Sequence, residues 1–339
     1  MSEKCVFPYM INDNANGNMY AVMVDYVHSN YGFKSMNGRD ILWFPLEVPL
    51  NVSMNAFLCD IFKKYITLLH RCERAISEED KITISCVIKD LLEILKTHKS
   101  GDVIKAYELF ENMMRKYYIR NDKGDVLPTK SLEKGHTFYR MRANEHNLKE
   151  KKEFYHLPSS YRHLCASYRF SISGYPCLYL GYSKNVCYVE MSHNGTMCGL
   201  ELLEQEKRSL KILDLTFADD QLIGGGDKEV LKFIKAWPLI ASCYIVMANS
   251  QINRDSKFRE EYIIPQMLTT FLRYNTDFDG ICYYTTRNEN LNPRGRDEED
   301  FRNIVLFPKN IDSSGYDMDL INRFHWFEPF NVGKIRNDK

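Results

Sequence analysis

The chain has 339 residues, of which 44% are hydrophobic and 27% charged, a composition typical of soluble globular proteins with one or two domains. Lys plus Arg and Asp plus Glu both number 45, so no overall charge favours nucleic acid or an anionic membrane as a partner. The N-terminus lacks a basic segment followed by an apolar run, and no stretch is apolar enough to cross a bilayer, which predicts a cytoplasmic protein.

Metal sites are not expected. The ten cysteines are scattered without a C-x-x-C pair, and the nine histidines show no H-x-x-x-H spacing. Gly224 to Lys228 lacks the full pattern of a phosphate loop, so we predict a flexible turn there.

Three amphipathic helices are predicted in the first part of the chain, after short strands or irregular structure in residues 1–50. Apolar residues recur at helical spacing from Ser53 to Ala75. A capping-box-like run at Ser77 begins a second helix that ends near Lys99. The third follows Asp102 and has a broad apolar face, formed by Val103, Tyr107, Phe110, Met113, Met114 and Tyr117. We expect residues 1–130 to form a mainly helical region of unknown role.

A polar linker is predicted from Arg120 to Gly135, and strands and helices follow it. In the strand at residues 137–142, alternation places Arg140 on the opposite face from Tyr139. One or two strands are predicted in residues 200–215. One further strand is predicted in residues 281–287 and another in residues 303–307. Helices are predicted at residues 228–247 and 258–274, where Pro238 and Pro265 should kink or shorten them.

The stretch from Tyr168 to Met191 predicts a strand, a tight turn and a short helix. The strand ends at Gly181, and Ser183 can cap a helix of about two turns that carries Glu190. Arg, Tyr and carboxylate side chains brought together in this way suit a substrate that is both anionic and a glycoside. On these residues alone, however, a purely structural scaffold is the stronger interpretation.

Six segments, in this order and spacing, resemble the RES domain, a family named for an Arg, a Glu and a Ser. They are Tyr139-Arg140, RFSISGYPCLYLG from Arg169, Cys187 to Glu190, YIIPQMLTTFLR from Tyr262, DGICYYTTR from Asp279 and NIVLF from Asn303. The resemblance covers roughly residues 136–310. It implies an α+β fold in which the helical region precedes a mixed α/β RES-like catalytic domain, residues 131–339, that resembles ADP-ribosyltransferases around a cleft for NAD.

The resemblance also assigns the site: catalytic residues Glu190, Arg169 and Tyr179, and substrate-binding residues Arg140, Tyr139, Thr285 and Arg287. Thr285 stands where the family has Ser, so the hydroxyl is kept and a methyl group is added. In this assignment Arg140 and Arg169 hold the pyrophosphate, and Tyr179 packs on the nicotinamide or its ribose. Glu190 stabilises the positive charge that develops as nicotinamide leaves.

The implied function is consumption of NAD, as substrate and without a metal, by cleavage of the nicotinamide–ribose bond through hydrolysis or phosphorolysis. Many members are toxins restrained by an antitoxin, so a toxin or defence effector with an antitoxin or regulatory partner is expected. The apolar faces of the N-terminal helices are expected to be buried against the RES-like domain and against a second copy of the chain, which favours a homo-oligomer. Two alternatives stay open: a protein ADP-ribosyltransferase, and an inactive RES-like binding module.

Overall fold

The computed structural model describes residues 23, 36, 40–71, 76–120, 124–125, 127–143, 148–191, 195–203, 208–216, 227–248, 258–287 and 301–332. The predicted turn at residues 224–226, most of residues 1–39 and most of the loop after residue 287 lie outside this described part. The fold is α+β, with a helical N-terminal region followed by a strand-rich region. This confirms the predicted fold class.

The three predicted N-terminal helices are confirmed as α1 (Met54–Arg71), α2 (Glu78–Lys99) and α3 (Val103–Tyr117). The caps follow the sequence signals. Ser77 Oγ accepts the backbone N–H of Asp80 at 3.1 Å, and Asp102 accepts that of Lys105 at 3.0 Å. These bonds satisfy backbone donors that a helix N-terminus leaves unpaired.

Four further α-helices are described: α4 (Lys184–Met191), α5 (Asp227–Cys243), α6 (Ile263–Asn275) and α7 (Met318–Ile321). Short 3₁₀ helices span Lys151–Phe154, Ser159–Leu164 and Glu260–Tyr262. Pro265 lies in the first turn of α6, where its missing N–H costs no bond, and the helix begins at Ile263 and not at residue 258, so it is shorter than predicted. Pro238 lies within α5, which continues past it to Cys243. The prediction that α5 extends to Met247 is wrong. It ends at Cys243, and Ile245–Met247 forms a strand instead.

The strands, in chain order, are β1 (Leu46–Val48), β2 (Ile119–Arg120), β3 (Gly124–Asp125), β4 (Thr129–Ser131), β5 (Thr137–Ala143), β6 (Leu178–Gly181), β7 (Gly195–Leu202), β8 (Lys211–Asp214), β9 (Ile245–Met247), β10 (Gly280–Tyr284), β11 (Arg302–Leu306), β12 (Phe324–Trp326) and β13 (Phe330–Val332). Nine of them form one sheet in the order β12-β7-β5-β6-β11-β10-β8-β4, with β13 also on β7. The linker prediction for residues 120–135 is therefore wrong in part, since β4 is an edge strand paired with β8.

The main sheet has an apolar core on each face. One core combines α1, α2, α3, α5 and α6 with inward residues of the sheet, such as Ile281 and Val305. The other contains alternate residues of the same strands, such as Leu180, Cys282 and Ile304. This alternation is what a sheet covered on both sides requires.

The apolar face of α3 is buried against the strand-rich region. Phe110, Met113 and Met114 are at most 1% exposed, and the Phe110 ring meets the Phe271 ring of α6 at a centroid distance of 6.4 Å. Similarly, the Tyr65 ring of α1 stacks on Trp237 of α5 at 3.9 Å. The N-terminal helices thus share a core with the region that follows. The boundary at residue 130 stays a prediction.

We expect a chain that begins at Leu132 to be less soluble and to melt at a lower temperature than the full chain. Removing α1 to α3 would expose Trp237, Phe271 and their neighbours, an apolar patch that isolated domains rarely tolerate. Thermal melting and light scattering of both chains measure the effect. Equal melting temperatures and equal solubility would contradict it.

Candidate functional site

One row of residues crosses five neighbouring strands of the main sheet. Tyr139 of β5 is paired with Gly199 of β7 and with Gly181 of β6, Gly181 with Asn303 of β11, and Asn303 with Tyr283 of β10. Residues directly opposite each other in paired strands point to the same face. Tyr139, Asn303 and Tyr283 therefore share the face on which the helices lie.

Helix α4 crosses this row above Gly181. A Cβ atom added to Gly181 would lie 2.6 Å from Cys187 Sγ and 2.6 Å from Val186 Cγ1, so only glycine permits this approach. The helix begins where predicted, because Ser183 Oγ accepts the N–H of Val186 at 3.2 Å. Because α4 packs closely on Gly181, its last turn, which contains Glu190, lies over the neighbouring strand β11.

The Glu190 carboxylate has a donor on each oxygen. Asn303 Nδ2 donates to Oε1 at 2.8 Å, and Arg287 Nε lies 3.1 Å from Oε2. The Glu190 side chain is 29% exposed and that of Arg287 53%, so one side of the carboxylate remains open to a ligand. Burial, and next the charge of Glu190, raise the pKa of Tyr283, so its phenol stays protonated beside the carboxylate.

Arg140 lies where strands β5 and β6 diverge. Among the described residues the two strands are paired only at Tyr139 and Gly181, immediately before Arg140. Arg140 Nη1 is shielded from solvent and has no hydrogen-bond partner in the described part of the chain. Burial, together with the nearby charge of Arg142, lowers the pKa of Arg140 to about 9, which still leaves the guanidinium charged at neutral pH. A buried cationic donor without a partner suits an anionic ligand.

Tyr179 lines the same divergence from the β6 side. Its hydroxyl donates to Ser171 Oγ at 2.9 Å, and its ring meets that of Tyr168 edge-on at a centroid distance of 5.7 Å. Burial raises the pKa of Tyr179, so the phenol remains neutral. At the first residue of α4, Lys184 Nζ lies 5.5 Å from the ring centroid of Tyr139.

Arg169 is tied to backbone carbonyls. Its Nη1 donates to Cys243 O at 3.0 Å and to Ile245 O at 2.8 Å, so it joins the end of α5 to β9. Its Nη2 donates to Thr286 Oγ1 at 3.4 Å, and its guanidinium lies 5.1 Å from the Tyr262 ring centroid. The Nη1 group of Arg169 therefore stabilises the protein's own backbone. Fewer of its N–H groups remain available to bind a phosphate.

We expect Arg169→Lys to lower the melting temperature by several degrees as well as to weaken ligand binding. Lysine lacks the planar fork, so it cannot reach both carbonyls and Thr286 at once, and a buried carbonyl loses its donor. Thermal melting measures the effect, with Arg162→Lys on the exposed 3₁₀ helix as the matched control. An unchanged melting temperature would show that the carbonyl bonds contribute little.

Among the predicted site residues, Glu190 and Arg287 are in direct contact. Arg140 is paired with Cys198, so its Cβ lies on the opposite face of the sheet from Tyr139. Thr285 is buried, and its hydroxyl accepts the N–H of Arg287 at 3.2 Å.

Two neighbours of these residues were missed from the sequence. Thr286, and not Thr285, supplies the hydroxyl that meets Arg169. Asn303 donates a hydrogen bond to Glu190. Its position as a polar residue at the start of the apolar run NIVLF is the sequence signal that could have identified it.

The described part of the chain contains neither a helix that could span a membrane nor a cluster of metal-binding side chains. None of the helices within the described ranges is long and apolar enough to span a membrane. In that same part of the chain, no group of three or more His, Cys, Asp or Glu side chains is arranged to hold a metal ion.

Comparison with known proteins gives one family and one curated relative. The RES domain family matches residues 137–323, more than half of the chain. The chain is 28% identical over 263 residues to a Bacillus subtilis (strain 168) protein named "Putative toxin YopC". The aligned part covers 72% of this chain and spans 58% of that relative's length. No solved structure matches. On the family match, this chain belongs to the RES domain family.

Proposed function

We propose that the chain cleaves the nicotinamide–ribose bond of NAD and acts as a toxin or defence effector. Membership of the RES domain family supports the NAD substrate, since toxins of this family act on NAD. The relative named as a toxin supports the effector role.

The observation that carries the proposal is the Glu190 carboxylate in the last turn of α4. Asn303 Nδ2 donates to its Oε1 at 2.8 Å, Arg287 Nε lies 3.1 Å from its Oε2, and its side chain is 29% exposed. In strand β5, the buried Arg140 Nη1 has no hydrogen-bond partner among the described residues. NAD has groups that suit both side chains: an anionic diphosphate for the arginine and a cationic nicotinamide nitrogen for the carboxylate.

In this proposal Arg140 binds a diphosphate oxygen through the free Nη1, and Glu190 lies at the ribose. As the C1′–N bond breaks, its electron pair goes to the nicotinamide nitrogen, which leaves neutral. Positive charge then develops on the ribose, and the Glu190 carboxylate stabilises it. Because the leaving group departs neutral, no strong general acid is needed. An oxygen of the acceptor then forms the new bond to C1′, and where the acceptor is water its proton passes to solvent.

The remaining site residues support binding in this scheme. Arg287 lies 3.1 Å from Glu190 and is half-exposed, so it can turn towards a phosphate while staying near the carboxylate. Tyr179 and Tyr139 offer ring faces to the nicotinamide and ribose. Thr285 holds the backbone of Arg287, and Arg169 supplies positive potential and fixes Thr286. A metal has no role in these steps.

Product analysis by mass tests the proposal. The purified full chain is incubated with NAD, with and without inorganic phosphate. Free ADP-ribose indicates hydrolysis, a phosphorylated ADP-ribose that needs added phosphate indicates phosphorolysis, and mass added to a protein indicates ADP-ribosyl transfer. Intact NAD under all conditions would contradict the proposal and favour an inactive binding module.

The effector role carries expectations for the cell. We propose that the chain acts in the cytoplasm, forms a homo-oligomer and is restrained by an antitoxin or regulatory protein. Expression in a bacterial host should then deplete NAD and stop growth, and Glu190→Gln should do neither. Growth arrest of equal extent with both chains would show that the toxicity has another cause.

A further inference from the structure

Asn303 is a buried polar residue in a central strand of the main sheet. It is 5% exposed, and the residues that follow it, Ile304 and Val305, are fully buried and apolar. Burying an amide in such a place costs free energy unless its polar groups are paired. Its Nδ2 donates to Glu190 Oε1 at 2.8 Å, which gives a reason for an amide at a position where an apolar side chain would otherwise pack.

The neighbours of Asn303 direct its amide towards α4. On one side it is paired with Gly181, which has no side chain, and on the other with Tyr283, whose ring packs near Phe170 at a centroid distance of 4.6 Å. Because an ionised carboxylate only accepts hydrogen bonds, the amide must present Nδ2 to Glu190.

The two donors on Glu190 differ in how firmly they are held. Arg287 is 53% exposed and lies beyond the end of β10, whereas Asn303 is within β11 and paired on both sides. Of these two contacts, Asn303 therefore provides the fixed one. Arg287 can move towards a ligand without releasing Oε1 of the carboxylate.

We propose that Asn303 is a positioning residue that fixes the Glu190 carboxylate for cleavage of the nicotinamide–ribose bond; this inference rests on the proposed function. By holding Oε1, Asn303 keeps Oε2 directed at the ribose, where the positive charge develops. Asn303 itself does not touch the substrate. Its loss should reduce kcat much more than it changes KM, because a displaced carboxylate stabilises the transition state less.

Two variants separate positioning from packing. Asn303→Ala removes the amide and leaves a small void, whereas Asn303→Asp keeps the shape but replaces the N–H donor with a second carboxylate. We expect Asn303→Ala to lower kcat about 100-fold with KM changed less than about threefold. Asn303→Asp should be at least as slow at pH 8, because two adjacent carboxylates repel. It should recover in part near pH 5, where a shared proton can bridge them, and Asn303→Ala should not.

A packing role predicts the reverse order, with the isosteric Asn303→Asp milder than Asn303→Ala at every pH, and this result would overturn the inference. As a second readout, adding Asn303→Ala to Glu190→Gln should slow turnover no further than Glu190→Gln alone, because one residue acts through the other. A multiplied loss would also overturn it. Thermal melting verifies that each variant is folded, and Asn303→Ser replaces any that is not.

The inference and the proposed function fail in different ways. If the parent chain leaves NAD intact, the proposed function fails and the inference fails with it. If the parent cleaves NAD but the Asn303 variants show the packing order, only the inference fails.

Discussion

Glu190→Gln should slow NAD cleavage about 100-fold or more, while the affinity for substrate changes little. Glutamine keeps the size of the side chain and its contact with Asn303, but it removes the negative charge that opposes the developing positive charge on the ribose. The measurement is the steady-state kcat and KM of both chains with NAD. The expected signature is a loss in kcat.

The matched control is Glu93→Gln on the exposed face of α2, which removes a carboxylate far from the sheet. This variant should cleave NAD at the parental rate. If Glu190→Gln also turned over NAD at the parental rate, Glu190 could not be the catalytic carboxylate, and the assignment of the site to α4 would be wrong.

Arg140→Met should weaken binding of ADP-ribose about 10- to 100-fold without lowering the melting temperature. The loss follows from removing a charge-assisted hydrogen bond to a phosphate oxygen. Stability should be kept, because Nη1 has no partner among the described residues and methionine replaces a buried cation by an apolar side chain of similar volume. Calorimetry with ADP-ribose, which has no bond left to cleave, measures the affinity.

Lys63→Ala, which removes one positive charge from the exposed face of α1, serves as the control for a general electrostatic effect. Its affinity for ADP-ribose should equal that of the parent at physiological salt. A large fall in the melting temperature of Arg140→Met together with unchanged affinity would make Arg140 a structural residue.

Much of the fold follows from local signals in the sequence. The starts of α2, α3 and α4 agree with their predicted caps, because Ser77, Asp102 and Ser183 each satisfy a backbone donor within three residues of themselves. Local hydrogen bonds of this kind do not depend on the rest of the chain, so a sequence pattern is enough to predict them.

Elements that depend on distant partners were predicted less well. The apolar run Ile245–Met247 is compatible with the end of a buried helix and with a short strand. It forms a strand because it pairs with β1, about 200 residues earlier in the chain. Likewise β4 is polar and short, and only its pairing with β8 distinguishes it from a loop.

In the candidate site, too, local motifs were predictable and contacts between distant residues were not. Arg140 and Glu190 were assigned through their motifs, and they lie in β5 and α4, respectively. The partners of Arg169 are carbonyls 74 and 76 residues away, and Asn303 lies 113 residues from Glu190, so neither contact leaves a periodic pattern in the sequence. A buried polar residue in an apolar strand is the only local sign of such a contact.

The most direct test of the central claim is release of nicotinamide from NAD by the purified full chain, followed by chromatography over time with Glu190→Gln at the same concentration. The account predicts many moles of nicotinamide per mole of the parent chain and about 100-fold slower release from the variant. Intact NAD after prolonged incubation of the folded parent chain, or equal release by both chains, would contradict it.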